Sequence, residues 1–110
     1  MLINKKIKDG EYVTLKLSNG EEVFGKLKSS DVSTIILDKP RALGMSPDGR
    51  LAMVPYVQTG TEGETPFNQN HVLSMVLLRS EVKSDYIQAT TGLAVAPGPV
   101  DPNKTSQLIT

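Results

Sequence analysis

The chain carries few side chains that could do covalent chemistry. His71 is its one histidine, cysteine is absent, and the 12 acidic residues are scattered along the sequence. One imidazole without a paired nucleophile or carboxylate forms no catalytic triad, no acid–base pair and no metal-ligand cluster. The stretch GTEGE, residues 60–64, lacks the lysine and the helix of a phosphate-binding loop. We therefore expect a protein that is not an enzyme and that uses no cofactor.

Other side chains have the chemistry of non-covalent contacts. Ser33 and Thr34 fall in a short polar break, and Asn70 and His71 directly precede an apolar stretch. Aromatic rings can stack on planar ligands, but a ring in a loop more commonly anchors that loop. A histidine at the start of a strand is likewise more often solvated than bound to a ligand. The candidate aromatic residues are Tyr56, Phe67 and Tyr86.

Composition and charge limit the class of protein. The 110 residues are enough for one modest domain, and 12 basic residues balance 12 acidic ones. A neutral chain cannot hold a polyanion by bulk electrostatics, so any such binding needs a local patch. Lys16, Lys26 and Lys28 could form a basic stripe, although solvated strand charges are commoner. The lack of cysteine and of a ~20-residue apolar run favours a cytoplasmic protein with no membrane partner.

Two strands and a turn are predicted near the start of the chain. Val13, Leu15 and Leu17 alternate with polar residues, and Asn19-Gly20 favours a tight hairpin turn. In the second strand Gly25 lies between apolar positions that share one face, which indicates a bend, a bulge or a close backbone approach.

Three more strands are predicted further on. TIILD forms the third, which we expect Pro40 to end, and residues 40–50 read as a connection with a turn at 47–49. Residues 51–57 form the fourth strand, where Pro55 predicts an edge or a bulge. Residues 58–70 are polar and predict a long loop. Residues 71–78 form a strand that is apolar on both faces, so a helix or another subunit must cover its second face.

The C-terminal third predicts a helix and then a tail. Ser80 is a suitable N-cap for a helix over 80–92, and Gly92 is suitable at its C-terminal end. Val82, Tyr86 and Ala89 give it a narrow apolar stripe. Residues 93–110 contain three prolines and little pattern, which predicts a flexible tail. The predicted organisation is one domain over residues 1–92 followed by this tail.

Two stretches resemble the Sm-like proteins, which include bacterial Hfq. The first is an alternating strand, an Asn-Gly turn, Gly-x-Leu and an aspartate four residues later. The second, HVLSMVL, resembles the entry to the last strand of Hfq. The ending SDYIQATTGLAVA is similar to a small Sm-like group of marine phages, for which the host cytoplasm would be the setting. The first stretch is carried by Val13, Leu15, Leu17, Asn19, Gly20, Val23, Gly25, Leu27 and Asp31.

The resemblance implies a fold, an assembly and a ligand. The fold is all-β, a five-stranded, strongly bent Sm-like (SH3-like) barrel with a short C-terminal helix and a flexible tail. The assembly is a homo-oligomeric ring of about five to seven copies joined strand to strand. The ligand is single-stranded RNA near the pore, contacted by Ser33, Thr34, Asn70 and His71. Asn19, Gly20, Gly25 and Asp31 are structural residues of the motif.

The sequence departs from the family where a base would be held. Ser33 stands where a stacking ring is usual, and Ile35 stands where an asparagine reads the base edge. Gln69 and Asn70 replace the tyrosine and lysine that precede the matching histidine in Hfq. Two hypotheses therefore stay open. One is an RNA-binding ring, and the other is a ring that serves as a scaffold for protein partners.

Overall fold

The computed structural model describes residues 7–92, which divide into two compact units at Leu78 and Arg79. All strands of the described residues lie in the first unit, and the α-helix lies in the second. The predicted tail, residues 93–110, lies outside the described residues. The elements are β1 Tyr12–Leu17, β2 Glu22–Ser30, β3 Thr34–Met45, β4 Leu51–Pro55, β5 Glu64–Asn68, a one-turn 3-10 helix Gln69–His71, β6 Val72–Leu77 and α1 Ser80–Thr91.

The six strands form one antiparallel sheet in the order β4-β3-β2-β1-β6. β5 also pairs with β3, on the edge of β3 that β4 uses further along. Within the described residues, β6 pairs with neither β4 nor β5. The two ends of the sheet therefore do not meet, and the sheet is open. An all-β, antiparallel architecture with one short helix is confirmed, with six strands where five were predicted.

Five of the six described strands contribute side chains to the core. Val13, Leu15 and Leu17 of β1 are buried as the alternation predicted. The members that other strands contribute are Val23, Leu27, Ile35, Leu37, Phe67, Val72 and Met75. β4 contributes none, because it pairs only with the far half of β3.

The bend of β3 lies opposite Gly25. Phe24 pairs with Arg41 and Lys26 pairs with Asp38, so two residues of β3 face one residue of β2. This is a β-bulge, which bends a strand and increases its twist. The extra residues are Lys39, which has a φ of +47°, and the buried Pro40. The predicted irregularity at Gly25 is confirmed.

The expectation that Pro40 ends the third strand was wrong. β3 continues to Met45, and the predicted connection over 40–50 is its second half plus a turn at Ser46–Arg50. Proline is tolerated because it lies at the bulge, where a ladder hydrogen bond is already missing. Its carbonyl accepts the N–H of Tyr56 at 2.9 Å.

The prediction of a long loop over 58–70 was also wrong. The segment contains β5 and the 3-10 helix, and Phe67 packs in the core as part of a strand. The segment that crosses from β4 to β5 is fastened to the bend of β3. Arg41 forms an ion pair with Glu62, and the N–H of Lys39 donates to the carbonyl of Gly63 at 2.9 Å.

β6 has apolar residues on both faces, but a bulge interrupts the alternation of its side chains between the two faces. Leu17 pairs with Val72 and Lys16 pairs with Ser74, which leaves Leu73 as an unpaired residue at a bulge. Val72 and Met75 are therefore buried, while Leu73, Val76 and Leu77 are more than half exposed.

The helix of the second unit matches its predicted end better than its predicted start. Gly92 is the C-cap at a φ of +75°, and its N–H donates to the carbonyl of Gln88. The N-cap is Arg79 instead of Ser80, with no side-chain capping bond. Tyr86 is buried as expected, but Ala89 is exposed, so the predicted stripe is incomplete.

The left-handed backbone at Lys39 generates a stability prediction. Lys39→Val should lower the free energy of unfolding by about 1–2 kcal/mol, because a β-branched residue resists positive φ. Lys39→Gly should change it by less than about 1 kcal/mol, since glycine adopts this conformation without strain. Urea unfolding followed by circular dichroism checks both variants. Lys28→Val on exposed β2 backbone is the matched control, and an equal loss in that variant would contradict the assignment.

Candidate nucleic-acid interface

The loop between β2 and β3 is closed by the carboxylate of Asp31. Its Oδ1 accepts the backbone N–H groups of Ser33 and Thr34, each at 2.8 Å, and the Ser33 hydroxyl at 3.0 Å. The N–H of Asp31 donates to the carbonyl of Thr34 at 2.9 Å. These bonds stabilise the charged form, so the pKa of Asp31 lies below its ordinary value of 3.8. Asp31 therefore has the structural role that the sequence predicted.

The 3-10 helix connects this loop with the β1–β2 turn. Gln69 donates from Nε2 to the carbonyl of Asp31 at 2.8 Å, and its N–H donates to the carbonyl of Ser33 at 2.9 Å. At the other end, the carbonyl of His71 accepts the N–H of Ser18 at 2.8 Å. One turn of helix thus bonds to the two loops at either end of β2.

The β1–β2 turn itself uses only one left-handed residue. Gly20 has a φ of +91°, whereas Asn19 keeps a negative φ. The N–H of Leu17 donates to the carbonyl of Glu21 at 2.8 Å, which gives a three-residue hairpin loop. The side chain of Asn19 accepts the N–H of Glu21 at 3.0 Å, so both motif residues hold the turn.

Three of the four predicted contact residues meet in one cleft, which we call the loop cleft. Ser33 and Thr34 come from the β2–β3 loop and Asn70 comes from the 3-10 helix. The cleft has a volume of about 500 Å³, and β5 supplies its remaining wall. It is defined by Val32, Ser33, Thr34, Pro66, Phe67, Asn68 and Asn70.

His71, the fourth predicted residue, lines a neighbouring cleft instead. Its Nδ1 lies 3.4 Å from the Ser18 hydroxyl. We call this the tyrosine cleft; its volume is about 420 Å³. It is defined by Asn19, Tyr56, Pro66, Phe67, Asn68 and His71. β5 separates the two clefts and contributes to both.

The clefts have mixed polar and apolar linings and carry little positive charge. Among the described residues, neither lining includes a lysine or an arginine. The predicted basic stripe on β1 and β2 is interrupted, because Lys16 pairs with Glu22 at 3.6 Å. The clefts therefore suit the uncharged edges of a ligand better than its phosphates.

Tyr56 is the aromatic residue best placed for contact with a ligand. Its ring lies 5.6 Å from that of Phe67 at an interplanar angle of 49°. Its hydroxyl donates to Oε1 of Glu21 at 3.2 Å. Burial, and then the charge and hydrogen bond of Glu21, raise the pKa of Tyr56 above 10.0. The hydroxyl thus stays protonated at neutral pH.

Two contributors to the site were missed from the sequence. Gln69 is buried and orders the loop cleft, and Pro66 lines both clefts. The alternation of Thr65, Phe67 and Gln69 with exposed residues was the signal of a strand here. The surrounding Gly, Pro and Asn residues concealed it.

Comparisons with known proteins give no assignment. No family model matches the chain, and no curated protein matches it. Within residues 7–92, no three His, Cys, Asp or Glu residues lie close enough together to hold a metal ion. The described part of the chain also has no helix that is long and apolar enough to cross a membrane. Function is therefore inferred from the clefts and the sheet edges.

The low pKa of Asp31 generates a pH prediction. Its contribution to folding is complete above pH 3.8 and is lost as the pH falls from 3.8 through the lower folded-state pKa. Asp31→Asn keeps an acceptor oxygen but loses the charge, so its stability should vary less with pH over this acidic window.

Urea midpoints of both proteins at pH 7 and at several values below pH 4 measure this difference. Asp31→Ala should have the lowest midpoint at pH 7, because the N–H groups of Ser33 and Thr34 lose their acceptor. Parallel pH curves for the wild type and Asp31→Asn would contradict the role of the carboxylate.

Proposed function

We propose that the protein is an Sm-like ring whose subunits bind single-stranded RNA at the loop cleft. The observation that carries the proposal is the meeting of Ser33 and Thr34 with Asn70 in one cleft. These residues come from two separate segments, both held by Asp31 and Gln69. They are three of the four residues that the Sm-like resemblance assigns to RNA contact; the fourth is His71.

The open sheet supports assembly into a ring. The outer edge of β6 carries three exposed apolar residues, Leu73, Val76 and Leu77. Unpaired edges readily add another strand, and an apolar edge does so more readily. The opposite side of the sheet, formed by β4 and β5, also has an unpaired outer edge among the described strands. Pairing β6 of one copy with that side of the next is a head-to-tail contact, and rotation can close it into a ring.

The chemistry of the loop cleft supports a nucleobase as ligand. The hydroxyl of Thr34 and the carboxamide of Asn70 can donate to and accept from a base edge, and the Ser33 hydroxyl, which donates its hydrogen to Asp31, can accept. RNA-binding proteins read unstacked bases in this way. The cleft volume falls within the range of small-ligand sites. Because none of the described residues that line the cleft is a lysine or an arginine, base contacts contribute more than phosphate contacts.

A second candidate function is a scaffold for protein partners. The hairpin of β3 and β4 presents Leu43, Met45 and Leu51 on one face, each more than half exposed. Large exposed apolar patches mark interaction surfaces. This alternative keeps the ring and replaces RNA by a protein.

RNA binding is tested by fluorescence anisotropy with labelled U-rich and A-rich 12-mers. We expect wild-type binding at micromolar protein and a loss of roughly tenfold in Asn70→Ala, because one hydrogen bond to the base is removed. The affinity should fall only slightly as the salt concentration rises, since few phosphates are neutralised.

Ser29→Ala, which replaces a polar residue of β2 outside both clefts, should bind like the wild type. Absence of wild-type binding to either RNA would reject the proposal. Capture of a protein partner that survives nuclease treatment would then favour the scaffold.

Assembly is tested with charged substitutions at the β6 edge. Sedimentation velocity of the wild type should give a multiple of the 11.9 kDa chain mass. The double variant Leu73→Lys and Leu77→Lys should sediment as a single chain, because two charged, hydrated side chains on β6 oppose the addition of another strand and would have to lose water in the contact.

Val32→Lys adds one positive charge at a residue that is 90% exposed and that lies in the loop cleft, outside β6 and β4–β5. This control should keep the wild-type mass. A wild type that sediments as one chain would refute the ring, and an unchanged mass in the double variant would refute the role of β6.

A further inference from the structure

The tyrosine cleft has the construction of a second binding site. Its apolar side is formed by Tyr56, Pro66 and Phe67, and its polar side by Asn19, Asn68 and His71. A site with an apolar body and a few convergent polar groups is typical of a pocket for a small planar ligand.

Tyr56 is held in place before any ligand arrives. Phe67 contacts one part of its ring, Glu21 accepts its hydroxyl, and its N–H donates to the carbonyl of Pro40. Glu21 is fixed in turn by the Nδ2 of Asn19 at 2.6 Å. A ring that is already ordered loses little conformational entropy when a base stacks on it.

Two polar atoms in this cleft have no partner within the described residues. The side chain of Asn68 uses Oδ1 to accept the N–H of Asn70, and its Nδ2 makes no bond to the described residues. His71 contacts Ser18 through Nδ1, and its Nε2 makes no such bond. An amide donor and an imidazole nitrogen can together bond two neighbouring polar atoms on the edge of a heterocycle.

The two clefts are neighbours on the same strand. Pro66, Phe67 and Asn68 line both of them, so their ligands lie on either side of one strand end. A single strand of RNA that places one base in the loop cleft can therefore extend its next base toward the tyrosine cleft.

We propose that the tyrosine cleft is a second nucleobase site, which takes the base adjacent to that in the loop cleft. This inference rests on the proposed RNA binding for the identity of the strand. The carboxylate of Glu21 beside Tyr56 repels the phosphate of a free nucleotide, so a base within a strand, or an uncharged nucleoside, is preferred to a free mononucleotide.

The test uses Tyr56→Leu, which keeps apolar volume and removes the stacking ring. Its affinity for the labelled 12-mers should fall on the order of tenfold. Tyr56→Phe restores the ring and should recover most of that loss. Tyr12→Leu makes the same change on β1, outside both clefts, and should bind like the wild type. Melting curves confirm that each variant is folded at the assay temperature.

Binding of free nucleosides tests the second site independently of RNA binding. Wild-type NMR spectra with adenosine or uridine should shift the resonances of Tyr56 and His71 more than spectra with the matching mononucleotide. If RNA binds and Tyr56→Leu equals the wild type, the second site is refuted and the loop cleft stands. If RNA does not bind, nucleoside shifts at Tyr56 support the cleft as a nucleobase site, and their absence overturns it.

Discussion

The two-against-one pairing at Gly25 is the constraint on which the rest of the sheet depends. Because Lys39 and Pro40 have only one residue opposite them, β3 bends and its two halves pair with different strands. The first half takes β5 and the second half takes β4. The ion pair of Arg41 with Glu62 fastens the crossing segment to the bend. An unbulged β3 could pair with one continuous strand instead, and β5 would not lie between two clefts.

The 3-10 helix orders the two loops beside the clefts. Gln69 ties the β2–β3 loop, and His71 ties the β1–β2 turn. These hydrogen bonds involve backbone groups or the buried side chain of Gln69, so the loops are ordered without a ligand. Rigid loops on a strand scaffold are the usual support for recognition, because little entropy is lost on binding. The cost is the Oε1 atom of Gln69, which is buried without a hydrogen-bond partner among residues 7–92.

Local sequence patterns predicted the first half of the fold well. The alternation in β1, the turn at Gly20, the bulge at Gly25 and the loop aspartate all follow from short-range chemistry. The chain beyond Pro40 was predicted less well, because proline usually ends a strand and only a bulge lets it remain within one. β5 was missed since Phe67 lies among turn-forming residues, and its burial depends on pairing with the distant Ile35. The candidate site was likewise predicted in part. Ser33, Thr34 and Asn70 were predicted together, but the separation of His71 into a second cleft depends on tertiary geometry.

The central claim is that the two unpaired sides of the sheet join between copies. Amide hydrogen exchange measures this directly, since it reports whether edge N–H groups are hydrogen-bonded. The account predicts slow exchange along the outer edges of β5 and β6 at high protein concentration, and faster exchange on dilution, while the buried ladder between β1 and β2 stays protected. Exchange at these edges as fast as in the exposed turn at residues 47–49, at every concentration, would contradict it.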